Sequence, residues 1–158
     1  MDALTFLRED HKSVLGMLEV LDGAPQGTGA ASSGLRTMVT NLVIAESQHE
    51  AIEEQHFWPA VRKQLPDGDH YADTAQKQEQ EGKDTLAELG RLDPDSRKFD
   101  EHVEQFVTQV RKHVAFEELV FLKLREAMSQ KALDRLGRKL LSAQQQAGQQ
   151  AGQNGEGS

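Results

Sequence analysis

The sequence predicts an all-α protein: an up-down-up-down four-helix bundle with a short fifth helix and a disordered C-terminal tail. Three observations carry this. Apolar residues recur at three- and four-residue spacing along most of the chain, the mark of amphipathic helices. Strand-type alternation is weak, and only four Pro occur in 158 residues, which leaves room for long helices. Those helices are joined by short loops, and short loops make neighbours pack antiparallel.

The first helix covers residues 4–22, with Leu4, Leu7, Val14, Leu18 and Leu21 on one face and Asp22-Gly23-Ala24-Pro25 ending it. A Gly/Ser/Ala loop runs to Ser33, a residue type suited to an N-cap. The second helix carries Leu35, Met38, Leu42, Ala45, Ile52 and Ala60 and is closed by Leu65-Pro66-Asp67-Gly68. The third starts at about Asp69 and has a thinner stripe of Ala72, Ala75, Leu86 and Leu89. Asp93-Pro94 reads as a cap followed by Pro at the first helical position. The fourth helix carries Phe99, Val103, Phe106, Val110, Val114, Val120, Phe121 and Leu124. A short amphipathic helix holds Leu133, Leu136, Leu140 and Leu141. Residues 1–142 thus read as one domain, and residues 143–158, mostly Gln, Ala and Gly, as a disordered tail.

Composition excludes several functions. Eighteen Lys and Arg against 26 Asp and Glu give a net charge of −8. That disfavours a binder of nucleic-acid phosphates and adhesion to anionic lipid. No apolar run approaches the ~18 residues of a membrane helix, and Met1-Asp2-Ala3-Leu4 lacks the character of a secretory signal. Cys is absent, which removes disulfides, thiolate metal sites and Cys nucleophiles. These features together point to a cytoplasmic protein without nucleic-acid or membrane partners. They carry no signal for an oligomeric state.

The apolar stripes are interrupted, and the interruptions are informative. His11 breaks the first helix between Leu7 and Val14; His49 and Glu53 break the second. Glu79 falls between Ala75 and Gly82 on the third, and His113 and Glu117 break the fourth. Each stands where helical period calls for a core side chain. A buried ionised carboxylate is costly unless paired or bound to metal. His49 and Glu53 are four apart, as are His113 and Glu117, so each pair shares a helix face with Cβ atoms ~5–6 Å apart. One pair can grip one metal ion, and a second on a facing helix can grip a neighbouring ion. The repeat His49-Glu50-Ala51-Ile52-Glu53-Glu54 and His113-Val114-Ala115-Phe116-Glu117-Glu118 is stronger than either copy alone.

With Asp10-His11 before them and Trp58-Pro59 after the first, these motifs resemble the hemerythrin-like proteins of the HHE cation-binding family, over about residues 4–126. That family places one His on helix 1, His-x-x-x-Glu on helix 2, one His on helix 3 and His-x-x-x-Glu on helix 4. The resemblance implies two iron ions, ferrous or ferric, with an oxo or hydroxo bridge inside the bundle. One departure stands out. In Gln78-Glu79-Gln80-Glu81-Gly82-Lys83, Glu79 occupies the place of the helix-3 His. The expected ligands are therefore His11, His49, Glu53, Glu79, His113 and Glu117. Imidazole and carboxylate without thiolate suit iron, manganese or zinc, and the resemblance favours iron.

Other residues have two readings each. His56 follows Glu53 by three and reads as a pocket or ligand-supporting residue, the alternative being a direct metal ligand. Glu54 and Glu118 either orient a His through a hydrogen bond or face water. His70 and Tyr71 either line the site mouth or cap the surface, and Gly82 either leaves room for a small ligand or allows close helix packing. His102 lies eleven residues before His113, about 16 Å along the axis, too far for the same centre. Carboxylate in place of imidazole should stabilise ferric iron and move the site from reversible O₂ carriage toward chemistry. The expected activity is catalase-like decomposition of hydrogen peroxide in oxidative-stress defence. The alternative is an O₂ or NO carrier or sensor without turnover.

Overall fold

The computed structural model describes residues 1–22 and 29–156, so most of the expected Gly23–Ser33 loop and the last two residues of the tail lie outside the described residues. Helix α1 is Ala3–Asp22, α2 Gly29–Ile52, α3 Trp58–Gln64, α4 Gly68–Leu89, α5 Arg97–Ala127 and α6 Gln130–Glu156. A single π-turn, Glu53–Phe57, joins α2 to α3. The expected second helix is thus one rod with a wider turn inside it. Among the described residues no helix is long and apolar enough to cross a membrane.

The apolar stripes pair into two core clusters. One gathers Leu4, Leu7, Phe57, Trp58, Phe121 and Leu124 with Leu133, Leu136 and Leu140 of α6. The other gathers Val14, Leu18 and Leu21 with Leu42, Leu89, Phe99 and Phe106. Between them lies a polar layer, because each interruption falls at the same height on its helix. The bundle core is two apolar ends separated by a ring of His and Glu.

Several helix ends differ from expectation, each for a local reason. Helix α2 begins at Gly29, four residues before Ser33, so Ser33 does not start it. Asp93 and Pro94 do not open α5. Asp93 instead holds a turn, accepting from Ser96 N at 2.9 Å and from Asp95 N at 3.0 Å. Ser96 has the extended backbone of an N-cap, and its Oγ accepts from Phe99 N at 3.2 Å. The π-turn has its cause in Pro59. A Pro ring inside an α-helix clashes with the carbonyl four residues earlier, here that of Gln55. The wider turn relieves this, and Trp58 N–H donates to the Glu53 carbonyl.

Helix α6 continues to Glu156, so it is longer than the short fifth helix expected. Ala and Gln are good helix formers, and Ala143 extends the buried stripe of Leu133, Leu136 and Leu140. Helix α6 is fastened at its start through Asp2. The Asp2 carboxylate caps α1 through Thr5 N at 2.8 Å and accepts from Gln130 at 3.1 Å. Although burial works against its charge, Thr5, Gln130 and Arg125 hold this acid down at about 2.

Glycine decides two close approaches. A Cβ on Gly68 would strike the Val61 carbonyl at the α3–α4 corner, and one on Gly137 would strike the Met1 carbonyl where α6 crosses the chain start. Gly137→Ala should therefore push α6 off α1. Such overpacking costs typically about 1–3 kcal/mol, and for a domain of this size a thermal melt should fall by roughly 2–12 °C. An unchanged melting temperature would show that the α1–α6 contact is loose.

Candidate metal centre

Helical phase turns six polar side chains into the layer between the two cores. His11 comes from α1, His49 from α2, Glu53 from the π-turn, Glu79 from α4, and His113 and Glu117 from α5. All six are buried, and Glu53 and Glu117 are completely shielded.

Two donor groups form around one carboxylate. Ligand atoms of His11, His49 and Glu117 all lie within 4.8 Å of one another, and so do those of Glu79, His113 and Glu117. Glu117 belongs to both. Its Oε2 lies 3.1 Å from His11 Nε2 and 3.9 Å from His49 Nε2, while its Oε1 lies 2.5 Å from His113 Nε2. Two oxygens turned to two different groups is the arrangement by which a carboxylate bridges two ions. Glu53 Oε1 adds to the first group, 2.5 Å from His49 Nε2. Glu79 Oε1 stands 3.6 Å from His113 Nε2 in the second.

The layer is unsatisfied without a further partner. His49 Nε2, both Glu53 oxygens, Glu79 Oε1, His113 Nε2 and Glu117 Oε1 are buried and make no hydrogen bond. Buried polar atoms in folded proteins nearly always have a partner. Here they approach closely but out of line, so their lone pairs converge on shared space. Mixed imidazole and carboxylate donors suit iron, manganese or zinc. The residues present fit a pair of such cations, and His11, His49, Glu53 and Glu117 could hold one and Glu79, His113 and Glu117 the other.

The outer nitrogens explain how the rings are set. His11 Nδ1 lies 3.0 Å from Glu118 Oε1, His49 Nδ1 3.1 Å from Asp10 Oδ2, and His113 Nδ1 2.8 Å from Gln78 Oε1. These oxygens can only accept, so each Nδ1 carries hydrogen and each Nε2 can be left as a ligand atom. Glu118 is further held by Arg8 Nε at 2.9 Å. His11 also stacks on Phe121, with centroids 5.4 Å apart and planes 11° apart.

Charge in this layer is strongly displaced from ordinary values. Burial and the neighbouring Glu117 push Glu53 far up. Burial and Glu50 push Glu79 up to about 8. Burial opposes a charged His113, yet Glu117, Glu53 and Glu79 hold it up at about 9. His49 behaves likewise, with Glu53, Asp10 and Glu117 outweighing burial. Burial would raise Glu117, but His113, His11 and His49 hold it well below the carboxylate range.

The remaining sequence candidates divide. Glu118 supports His11, whereas Glu54 is exposed and acts on the layer only through its charge, which helps raise Glu79. His56 sits away from the centre, in a cavity with Arg135, Arg138 and Lys139 of α6. A π-turn advances less per residue than an α-turn, so His56 trails off the face of Glu53. His70 is exposed, and Tyr71 packs on Phe116 with centroids 6.3 Å apart, so neither lines the centre. His102 bonds the Lys98 carbonyl within its own helix. Sequence reasoning missed Asp10 and Gln78 as His partners. Each lies one position before a core-phase donor, as Glu118 lies one after, and that adjacency is the signal. It also missed Glu46 and Glu50, both buried. Glu46 is seven residues before Glu53 on the same face. Burial raises it, and burial with Glu46 pushes Glu50 up to about 7.

Two outcomes follow. At pH 7 metal-free His113 (about 9) and Glu79 (about 8) both hold protons that a cation must displace, so calorimetry in paired buffers should detect release of two or more protons per chain. Affinity should accordingly rise with pH toward 9, about tenfold per pH unit for each proton displaced. No release at pH 7 would contradict these protonation states. In elemental analysis, Glu117→Ala should lose both ions and Glu79→Ala one. Full metal content in Glu79→Ala would show that this carboxylate is not a ligand.

The geometry agrees with what the chain is similar to. A crystal structure of a hemerythrin HHE cation binding domain-containing protein from Mycobacterium kansasii superposes with a TM-score of 0.78, covering 92% of this chain and 86% of that one at 20% identity. At that identity the likeness establishes the shared fold. No curated protein sequence matches. The family model for the hemerythrin HHE cation binding domain matches residues 2–124, and with nearly the whole bundle covered, the chain belongs to that cation-binding family.

Proposed function

We propose that this protein holds two iron ions and decomposes hydrogen peroxide, as a defence against oxidative stress. The observation that carries the reading is the donor set around Glu117: one shared carboxylate, with two further carboxylates, Glu53 and Glu79, in a layer whose buried atoms lack partners. Two iron ions, joined by an oxo or hydroxo bridge, would supply a two-electron couple that takes two electrons from one peroxide to give O₂ and returns them to a second to give two waters.

The chain's own residues account for the rest. Glu53, Glu79 and Glu117 add anionic oxygen donors, which favour the ferric state and disfavour a ferrous O₂ carrier. Asp10, Gln78 and Glu118 hold the three rings, so each Nε2 stays aimed inward. Each peroxide oxidised releases two protons and each one reduced takes up two, so the site needs a group that exchanges protons near neutrality. Glu50, at about 7 and 3.5 Å from Lys83 Nζ, is such a group. The apolar clusters close the layer above and below.

An oxygen electrode tests this. Iron-loaded protein given hydrogen peroxide should evolve O₂ well above the rate of the same concentration of free iron, one O₂ for every two peroxides. No evolution above free iron, together with stable reversible uptake of O₂ or NO by the ferrous form, would make the protein a carrier or sensor.

A further inference from the structure

Gly82 stands apart from the other two glycines at helix contacts. Added Cβ atoms on Gly68 and Gly137 would run into backbone, but one on Gly82 would meet only the edge of Phe106, at 3.9 Å from Cε2. That is ordinary contact, so close packing does not explain a glycine there. Glycine also weakens a helix interior relative to Ala.

What the missing side chain leaves is a cavity of about 30 Å³ between α2, α4 and α5. A water needs about 10–15 Å³ on this measure, so the space holds two waters or one molecule of two heavy atoms. Glu79 and His113, both buried, form its floor, and the exposed Ser47 and Lys83 form its rim. Gln109 also lines it, with an Oε1 that is buried and unpartnered. Lys83 Nζ reaches Glu50 at 3.5 Å and so spans the mouth from α4 to α2. A larger cavity of about 140 Å³ touches only His49 among the six donors, together with Asp10, which holds the outer nitrogen of that ring.

We propose that the Gly82 cavity is the ligand port of the centre, admitting molecules of two heavy atoms to its Glu79–His113 half and shutting out alkyl hydroperoxides by size. The proposal rests on the metal reading above and narrows its substrate class. Gln109 Oε1 accepts a hydrogen bond from a peroxide O–H, which neither O₂ nor NO can donate, so among molecules of this size hydrogen peroxide is held best. Lys83 restricts the mouth.

The test uses nitric oxide as a two-atom probe of the ferrous iron-loaded protein in stopped flow. Gly82→Leu should keep the parent iron content and ferric absorption but bind NO at least tenfold more slowly. Lys83→Ala, at an exposed side chain, should bind NO faster, and tert-butyl hydroperoxide should oxidise the ferrous centre of the parent far more slowly than hydrogen peroxide does. An unchanged NO rate in iron-replete Gly82→Leu overturns the port. Should that variant fail to take up iron, Lys83→Ala decides alone, and an unchanged rate there overturns it. A parent oxidised equally fast by tert-butyl hydroperoxide and hydrogen peroxide overturns the size limit. Because NO association does not depend on peroxide turnover, a protein that evolves no O₂ refutes the catalase-like reading while leaving the port to these rates.

Discussion

Three imidazoles and three carboxylates share one layer between two apolar clusters, and the surrounding structure is arranged around their cost. Removing even one ion from water costs several kcal/mol after relaxation. On the inner side the six groups face one another around Glu117. On the outer side each ring nitrogen has its own acceptor. Those acceptors also tie helices together: Asp10 of α1 serves His49 of α2, Gln78 of α4 serves His113 of α5, and Glu118 of α5 serves His11 of α1. The helices are thus registered at the height of the layer, and the apolar clusters above and below are divided by it.

Much of this was legible because helical phase is a strong signal. Four helices could be drawn from the spacing of Leu, Val and Phe. The six inward polar residues could be named because a His or Glu in a core position contradicts its surroundings. What lay outside that signal was missed. Asp10 and Gln78 sit one step round from the stripe, where a polar residue contradicts nothing. Ser96, not Asp93, caps α5, and only backbone geometry separates a residue that starts a helix from one that closes the turn before it. The π-turn was hidden because one extra residue per turn leaves the stripe nearly intact on both sides, although Pro59 was its cause. The length of α6 was hidden by a Gln- and Gly-rich composition that resembles a tail, while its buried stripe continues to Ala143.

The two donor groups are unequal, and the inequality has a structural origin. His11 and His49 are backed by Phe121, Asp10 and Glu118, with the rings of Phe57 and Trp58 behind. Glu79 and His113 instead border Gly82, where α4 has no side chain to close the gap to Phe106. The residue that departs from the family pattern, Glu79, is therefore also the one that borders the Gly82 cavity. A carboxylate is smaller than an imidazole ring, so the replacement changes charge and vacant space together.

The π-turn has a consequence for how the second rod is built. Upstream of it, the orientation of the rod is dictated by His49, which must face the layer. Downstream, it is dictated by Trp58 and Val61, which must enter the apolar core, and by Arg62, which clamps Asp69 and Asp73 of α4 at 3.0 and 2.7 Å. A uniform α-helix would couple these demands through a single rotational setting. The turn at Glu53–Phe57 acts as an angular offset between them, so the chemistry of the layer and the packing of the bundle end can change independently.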